Sequence, residues 1–516
     1  MKKLPIGIQT FREIRENGYL YVDKTEQIYE LITKGKTYFL SRPRRFGKSL
    51  LISTLEEIFQ GNKELFKKLY IYNTDYNWEK HPIVRISFGG NLYENKEVLK
   101  KYIKESIKKI AKQYNINLKE KSLAPATREL IVELSKINKV VILIDEYDKP
   151  LIDNLEKGKE EIYKENREML KAFYSIFKEM DQYLKFIFLT GVSKFSKVGV
   201  FSGLNNLEDI TMDARFCNLI GWNQKELEHN FADNIKALAQ IEKLDQKEII
   251  KKIKKWYNGY RFSDKDEKVY NPFSTLLLFS QQAFKLHWFE TGTPTFLINL
   301  IKEQDYDIRK LEKLEIGIND FSTYEIESLD ILPLLFQTGY LTIKNYIPED
   351  MIYELGYPNF EVKSGFLYKL MNAQSQQSLS TSFLYKITKA LRSNNLDEFF
   401  LNLRIFFANI PYDLHLKNEK YYQTIFYLVF TLLGLRIKVE TKTNQGRIDA
   451  TIETDNDIYI FEFKLFDTKE KALEQIKEKK YYEKFLNKNK PIHLIGVEFD
   501  PKERNVGEMV EVVINK

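Results

Sequence analysis

The sequence has 516 residues, which is too long for one ordinary hydrophobic core and predicts two or three domains. Its 80 Lys and Arg residues exceed its 73 Asp and Glu residues by a net charge of only +7, which excludes a strongly basic nucleic-acid binder. Any nucleic-acid role must therefore rest on local charged patches. Cys217 is the only cysteine, which excludes an intrachain disulfide and fits a reducing compartment.

The chain shows no signal for a membrane or for export. The basic start Met1–Lys3 is not followed by the apolar core of a signal peptide. The longest apolar stretch, around Tyr427–Leu435, is too short to span a bilayer. We therefore expect a soluble cytoplasmic protein without membrane contact. An oligomer is possible, since nothing in the composition decides the oligomeric state.

The first 216 residues alternate short apolar runs with amphipathic stretches. This alternation predicts a parallel sheet covered by helices on both faces, a three-layer α/β domain. The predicted buried strands are Thr37–Leu40, Ile83–Phe88, Val140–Ile144 and Phe186–Leu189.

From residue 217 to 400 the periodicity is mainly helical, which predicts a helical lid or connecting region. After residue 401 a helix precedes two strands, Arg447–Glu453 and Ile458–Leu465. A helix over Thr468–Phe485 and a last strand, Ile492–Phe499, complete a second α/β domain. The predicted division is therefore 1–216, 217–400 and 401–516.

The segment Arg42–Ser49 lies between an apolar strand and an amphipathic helix, as phosphate-binding loops do. In this interpretation Lys48 neutralises the β- and γ-phosphates of ATP, and the Ser49 hydroxyl coordinates Mg²⁺. Backbone N–H groups at the start of the helix cradle the phosphates. The predicted nucleotide-binding residues of the loop are Arg42, Arg44, Arg45, Gly47, Lys48 and Ser49.

The start of this loop departs from the usual motif, because Arg42 stands where a glycine is expected. A non-glycine residue adopts fewer backbone conformations, so the loop is expected to open differently. The alternative interpretation is a basic turn followed by a helix that begins at a glycine. The preceding strand, the Lys-Ser pair and a matching acidic strand favour the phosphate loop.

The acidic strand is Val140–Ile144, which ends in Asp145 and Glu146. Asp145 would hold Mg²⁺ through water, and Glu146 would activate the attacking water. A buried strand that simply ends at a charged turn is the alternative, and the phosphate loop makes it the weaker one. Thr190 ends the next strand and is a candidate for sensing the γ-phosphate, although threonine is also common at a strand end without such a role.

A second candidate site lies on the strand Ile458–Leu465, where the two-residue period places Glu462 and Lys464 on one face. Charges among such apolar neighbours need partners. A hairpin would bring Asp449, on the preceding strand, beside Glu462. Two carboxylates suit Mg²⁺, and a lysine beside them can help to activate water or stabilise charge on a phosphate. The group therefore fits phosphodiester hydrolysis.

Two further residues are candidates for this site. Gln475, on the following helix, would orient the lysine or the substrate, and Glu419 would add a carboxylate from the helix before the hairpin. The alternative is an exposed strand face on which Glu462 and Lys464 form an ion pair without a catalytic role. The strand–helix context and the lead-in Gly446–Asp449 favour a catalytic site.

These segments resemble a known family. Tyr21–Thr25, Arg42–Ser49, Ile144–Asp148 and Trp256–Tyr260 resemble the AAA-ATPase-like proteins of bacteria. Many of those proteins carry a C-terminal nuclease-like domain of the PD-(D/E)XK superfamily, to which Gly446–Asp449, Glu462–Lys464 and Ala472–Ile476 are similar. The resemblance implies an ATPase core, a helical middle and a restriction-endonuclease-like end, and it makes Arg42 a family trait.

Three classes of function follow from this sequence. The first is an ATPase, with Mg²⁺ at both sites, coupled to a nuclease that acts on DNA or RNA. ATP would then move the helical middle and so gate the C-terminal site. The second is a nucleotide-dependent switch whose nuclease-like end binds a partner without cutting. The third is an ATP-driven remodeller of proteins.

Overall fold

The computed structural model describes residues 2–155, 158–193, 200–201, 203–292, 295–304, 306–312, 314–318, 331–375, 381–410, 419–434, 438–444, 447–464, 467–500, 503 and 505–515. The chain forms two compact units. The first contains Met1–Leu297 and Leu311–Val362, and the second contains Ile298–Lys310 and Lys363–Lys516.

The first unit is built on a five-stranded parallel sheet. Its strands are β1 (Thr37–Ser41), β2 (Ile83–Ser87), β3 (Val140–Asp145), β4 (Leu184–Gly191) and β5 (Glu208–Asp209). Their order across the sheet is β2-β3-β4-β1-β5, and every pairing is parallel. β1 and β3 are buried along their whole length, as expected of parallel strands covered on both faces. The predicted α/β class is confirmed.

Seven helices belong to the same part of the chain: α1 (Phe11–Glu16), α2 (Thr25–Lys34), α3 (Lys48–Phe59), α4 (Lys96–Gln113), α5 (Leu123–Ser135), α6 (Lys149–Ile152) and α7 (Glu160–Glu179). α3 follows β1 after a six-residue loop, 42–47, and packs against β3 and β4. The carboxyl ends of β1, β3 and β4 meet at one edge of the sheet, where open α/β sheets bind their ligands.

The next stretch is mainly helical, as predicted. Its helices are α8 (Gln224–Asn230), α9 (Ala232–Glu242), α10 (Gln246–Tyr257), α11 (Pro272–Gln281), α12 (His287–Gly292), α13 (Thr295–Glu303) and α14 (Ile331–Gln337). It also contains an antiparallel sheet that the sequence did not predict, with strands β6 (Leu314–Gly317), β7 (Thr342–Ile347) and β8 (Ile352–Gly356) in the order β6-β8-β7. These strands are short and half polar, so they lack the continuous apolar run of the buried strands.

The second unit packs helices against a mixed five-stranded sheet. The helices are α15 (Phe360–Ser375), α16 (Thr381–Arg392), α17 (Leu396–Ala408), α18 (Glu419–Gly434) and α19 (Lys469–Glu478). The strands are β9 (Lys438–Asn444), β10 (Arg447–Glu453), β11 (Ile458–Lys464), β12 (Ile492–Asp500) and β13 (Asn505–Ile514). Their order is β13-β12-β11-β10-β9, and only β11 and β12 pair in parallel.

Two details of the second unit differ from the sequence prediction. The helix predicted over Thr468–Phe485 ends at Glu478, because Lys480 adopts the left-handed conformation (φ 51°) and a separate 3₁₀ helix follows at Glu483–Lys488. The two edge strands, β9 and β13, were not predicted, because edge strands carry polar residues and show little hydrophobic pattern.

The three-part division at residues 217 and 400 stays a prediction. By compactness, most of the predicted middle region groups with the parallel sheet, and the remainder groups with the mixed sheet. None of the helices in the described parts of the chain is both long and apolar enough to cross a bilayer.

Candidate nucleotide and phosphodiester sites

The loop between β1 and α3 contains two residues with left-handed backbone conformations. Gly47 is the N-cap of α3 and has φ 100° and ψ 19°, a left-handed conformation that glycine adopts without strain. Arg45 is also left-handed, with φ 66°. Alternation between right- and left-handed residues turns successive N–H groups toward one concave face, which suits an anion. The loop leads directly into the N-terminus of α3, and helix N-termini favour anions such as phosphate.

Lys48 extends its side chain back under this loop. Its ammonium Nζ donates to the backbone oxygens of Arg42 at 2.8 Å and Pro43 at 2.9 Å. Burial lowers the pKa of Lys48 to about 8, and the carboxylates of Asp145 and Asp148 oppose that shift. The positive charge of Lys48 is thus held beside the loop and close to the acidic end of β3.

The three predicted arginines have different environments. Arg42 is buried, and its guanidinium donates to the backbone oxygens of Ser41 and Thr211 and lies 4.2 Å from the centre of the Phe262 ring. Burial lowers the pKa of Arg42 to about 10. Arg44 and Arg45 are exposed. The environment of Arg42 is that of a residue supporting the loop, whereas Arg44 and Arg45 present their side chains to solvent.

The end of β3 carries the predicted acids. Asp145 is buried, and its Oδ1 has no hydrogen-bond partner among the described residues. Glu146 is half-buried and left-handed (φ 52°), a strained conformation for a residue with a side chain. Burial and then the neighbouring Asp145 charge raise the pKa of Glu146. Its carboxylate lies against Gly89, where an added Cβ would come within 2.7 Å of Glu146 Oε2.

Thr190 stands at the end of β4, between the strands that carry the phosphate loop and the acids. It is fully buried, and its Oγ1 has no hydrogen-bond partner in the part of the chain that is described. The strand order therefore places Thr190 where a sensing residue would stand, with its hydroxyl unused by the described protein groups.

The second candidate site lies at the carboxyl end of β11. Glu462 is fully buried, and Lys464 Nζ lies 3.2 Å from Glu462 Oε1. The same ammonium donates to the side-chain oxygen of Gln475 on α19. The structure thus brings together Glu462, Lys464 and Gln475, as the spacing on β11 and α19 predicts.

Asp449 occupies the position on β10 that pairs directly with Glu462 on β11. Its side chain lies outside the described residues, as do Gly446 and the side chain of Glu419. The pairing register is the one that the predicted hairpin requires. Among the described residues, no group of three or more His, Cys, Asp or Glu side chains is arranged to hold a metal ion.

Comparisons with known proteins match the two parts of the chain that contain the candidate sites. Residues 5–201 match the family described as "Predicted AAA-ATPase", and residues 417–509 match the PD-(D/E)XK nuclease superfamily. The chain is 40% identical over 535 residues to the Azotobacter chroococcum mcd 1 protein named "Uncharacterized protein in vnfD 5'region", with 99% of each chain covered. The chain belongs to the AAA-ATPase-like family. No solved structure matches it.

In this AAA-ATPase-like protein a cavity of about 530 Å³ adjoins the phosphate loop, a volume within the usual range for small-molecule sites. Arg42, Asp145 and Thr190 are not among the residues that line it. Its apolar wall includes Ile28 and Trp222. The predicted residues that line the cavity are Arg44, Arg45, Gly47, Lys48, Ser49 and Glu146.

Asp148 is a site residue to which the sequence reasoning gave no role. It is buried and lines the cavity, and its Oδ2 accepts from the backbone N–H groups of Val192 and Ser193 and from the Ser193 hydroxyl. Burial raises the pKa of Asp148, although the hydrogen bonds from Ser193 oppose that shift. Asp148 thereby ties the end of β3 to the end of β4. The sequence did contain a signal for this residue, because Asp148 is a third acidic residue directly after the strand that ends in Asp145 and Glu146.

Lys24 is another cavity-lining residue of the family motif Tyr21–Thr25. Its ammonium is buried between the Glu226 carboxylate, at 2.6 and 2.7 Å, and the backbone oxygen of Asn218. Burial lowers the pKa of Lys24, and Glu226 opposes that shift. Because Glu226 lies about 200 residues away along the chain, its pairing with Lys24 could not be read from the sequence.

Proposed function

We propose that this protein is a P-loop ATPase coupled to a Mg²⁺-dependent nuclease that hydrolyses nucleic-acid phosphodiesters. The observation that carries the proposal is the position of Lys48. The loop with left-handed residues at Arg45 and Gly47 holds its ammonium near the acidic end of β3, and Lys48 lines a cavity of nucleotide size. A phosphate loop, a buried lysine and adjacent acids are the parts that nucleotide hydrolysis uses.

The residues present fit ATP and Mg²⁺. Asp145 Oδ1 is a buried carboxylate oxygen without a partner among the described groups, which is costly unless a cation or its water is bound there. Ser49 lines the cavity directly after Lys48. Ser49 and Asp145 would hold Mg²⁺, which supplies charge neutralisation on the phosphate oxygens.

Three residues at the first site have specific roles in the proposed hydrolysis. Lys48 attracts the β- and γ-phosphates, and Glu146 accepts a proton from the attacking water. The raised pKa of Glu146 favours this role, since a general base works best when its pKa approaches the working pH. Thr190 senses the γ-phosphate from the end of β4.

At the second site, Asp449 and Glu462 would hold Mg²⁺ and Lys464 would stabilise charge on the scissile phosphate. Gln475 orients Lys464, since its side-chain oxygen accepts from the ammonium. A buried glutamate beside a lysine on a regular strand supports this role, because a strand selected only for packing would carry apolar residues at both positions.

The test is to incubate the purified protein with labelled single- and double-stranded DNA and RNA, with and without Mg²⁺ and ATP. We expect Mg²⁺-dependent cleavage of at least one substrate, with a rate that changes when ATP is added. ATP hydrolysis without cleavage of any substrate would favour a switch or remodeller whose nuclease-like domain binds a partner. Absence of both activities would contradict the proposal.

A further inference from the structure

The outer side of the phosphate loop is packed against distant residues of the same unit, in the segment 260–288 and at Gly339. Each residue of the loop from 42 to 46 has a partner among them, and the pairs are Arg42 with Phe262, Pro43 with Gly339, Arg44 with Trp288, Arg45 with Phe273 and Phe46 with Tyr260.

These contacts are close and specific. The Phe46 ring is buried, and its centre lies 4.8 Å from that of Tyr260 at an interplanar angle of 81°. Gly339 has φ 89°, and a Cβ at this position would lie 2.7 Å from Pro43 Cγ, so the Pro43 ring packs directly on the glycine. The loop is therefore braced from outside over residues 42–46.

This bracing explains how the loop keeps its shape without its usual first glycine. Arg42 replaces that glycine, and Arg45 is left-handed although its side chain disfavours this conformation. Such strained residues persist only when the surrounding structure determines them. The contacts with segment 260–288 and with Gly339 supply that determination.

Trp288 is the partner that acts on the loop backbone itself. Its indole Nε1 donates to the backbone oxygen of Arg44 at 3.0 Å. Trp288 is buried, and its backbone N–H donates to Glu361 Oε1 at 2.7 Å. Glu361 is fully buried and also accepts from the Ser274 hydroxyl at 2.8 Å. The backbone of Trp288 is thus held by Glu361, while its indole bonds the loop.

The hydrogen bond determines which way one peptide group of the loop faces. In a trans peptide the C=O and the following N–H point in opposite directions. Because Trp288 holds the Arg44 oxygen, the N–H of Arg45 points away from Trp288. A flip of this peptide would replace an N–H donor with a carbonyl oxygen on the other side of the loop, and a carbonyl oxygen repels phosphate.

We propose that Trp288 is a positioning residue for nucleotide binding, which orients the Arg44–Arg45 peptide so that its N–H serves the phosphates. The proposal rests on the proposed nucleotide site and adds a residue that lies about 240 positions beyond it in the sequence. Trp288 touches the loop and not the nucleotide, so its effect depends on phosphate groups and not on the base.

The test compares Trp288→Phe with Trp256→Phe. Phenylalanine keeps an aromatic ring at residue 288 but removes the N–H donor. Trp256 is a matched control because it belongs to the same unit and packs against Phe360, with ring centres 4.5 Å apart. Binding of ATP and of inorganic tripolyphosphate is measured by calorimetry, and the unfolding midpoint without ligand is measured for each variant.

We expect Trp288→Phe to weaken ATP and tripolyphosphate by the same factor, about three- to tenfold, as the loss of one hydrogen bond implies. Trp256→Phe should leave both affinities unchanged. Unchanged affinities in Trp288→Phe would overturn the inference, and so would a loss for ATP without a loss for tripolyphosphate. A wild-type chain that binds neither ligand would instead overturn the proposed function, and the inference with it.

Hydrogen exchange in the wild-type chain keeps the inference testable if Trp288→Phe does not fold. Tripolyphosphate should slow amide exchange both in the loop, residues 42–48, and in the peptide that contains Trp288. Slower exchange in the loop alone would show that the two segments are not coupled, and would overturn the inference.

Discussion

The two candidate sites are built in opposite ways. The phosphate site depends on backbone shape, with left-handed residues at Arg45 and Gly47 in the loop and at Glu146 after β3. The phosphodiester site depends on side chains that regular elements present, with Glu462 and Lys464 on β11 and Gln475 on α19. A strand pair holds its side chains at fixed spacing, whereas a loop needs outside contacts to keep its shape.

This difference predicts how each site responds to mutation. Substitutions far away in the sequence, as at Trp288, should affect the phosphate site, because distant contacts brace its loop. The phosphodiester site should respond mainly to its own side chains. A substitution at one site should therefore leave the activity of the other site intact.

The largest effect is expected for Glu146→Gln. The amide keeps the shape of the side chain but cannot accept the proton of the attacking water, so ATP should bind normally while turnover falls about a hundredfold or more. Steady-state ATPase rates and calorimetric affinities measure the two effects. Glu133→Gln, a surface substitution on α5, is the control. An unchanged turnover number would show that another group activates the water.

Lys464→Ala should reduce nucleic-acid cleavage about a hundredfold, because it removes the positive charge that stabilises the scissile phosphate in the transition state. ATP turnover should stay at the wild-type rate. Lys471→Ala removes an exposed lysine of α19 and serves as the control for a lost charge. Equal cleavage of labelled substrates by Lys464→Ala and the wild type would contradict the assignment of the second site.

Lys48→Ala should weaken ATP binding about 10- to 100-fold, the loss expected for a charge-assisted contact with phosphate. Lys34→Ala, which removes an exposed lysine of α2, should bind ATP as the wild type does. Calorimetry measures both affinities. Because the proposed gating requires bound nucleotide, Lys48→Ala should also lose any effect of ATP on cleavage. Wild-type affinity in this variant would contradict the phosphate-loop assignment.

The smallest effect concerns pH. Burial lowers the pKa of Lys48 to about 8 in the free protein, and phosphate binds the protonated ammonium. ATP affinity should therefore be constant below pH 8 and fall as pH rises above it, by up to tenfold per pH unit. Calorimetry across this range measures the inflection. The residual binding of Lys48→Ala should lack it, and an inflection that persists in that variant would assign it to another group.

Local sequence patterns determined the main parts of both sites. The apolar run Val140–Ile144 predicted β3, and the segment Arg42–Ser49 predicted a strand–loop–helix unit, because an eight-residue motif specifies a local backbone turn. The alternation in β11 predicted the pairing of Glu462 with Lys464, since side chains two residues apart share a face. The predicted bounds of β10 agree with the structure, and the predicted hairpin gave the register that pairs Asp449 with Glu462.

Tertiary structure alone decided the contacts between residues far apart in the chain. The sequence placed Arg42 among the nucleotide contacts, whereas its guanidinium is buried against Thr211 and Phe262. Asp148 ties two strand ends together, and Trp288 braces a loop about 240 residues earlier in the chain. A periodic pattern reports which face of an element is buried, but not which distant residue covers it, because many pairings bury the same apolar area.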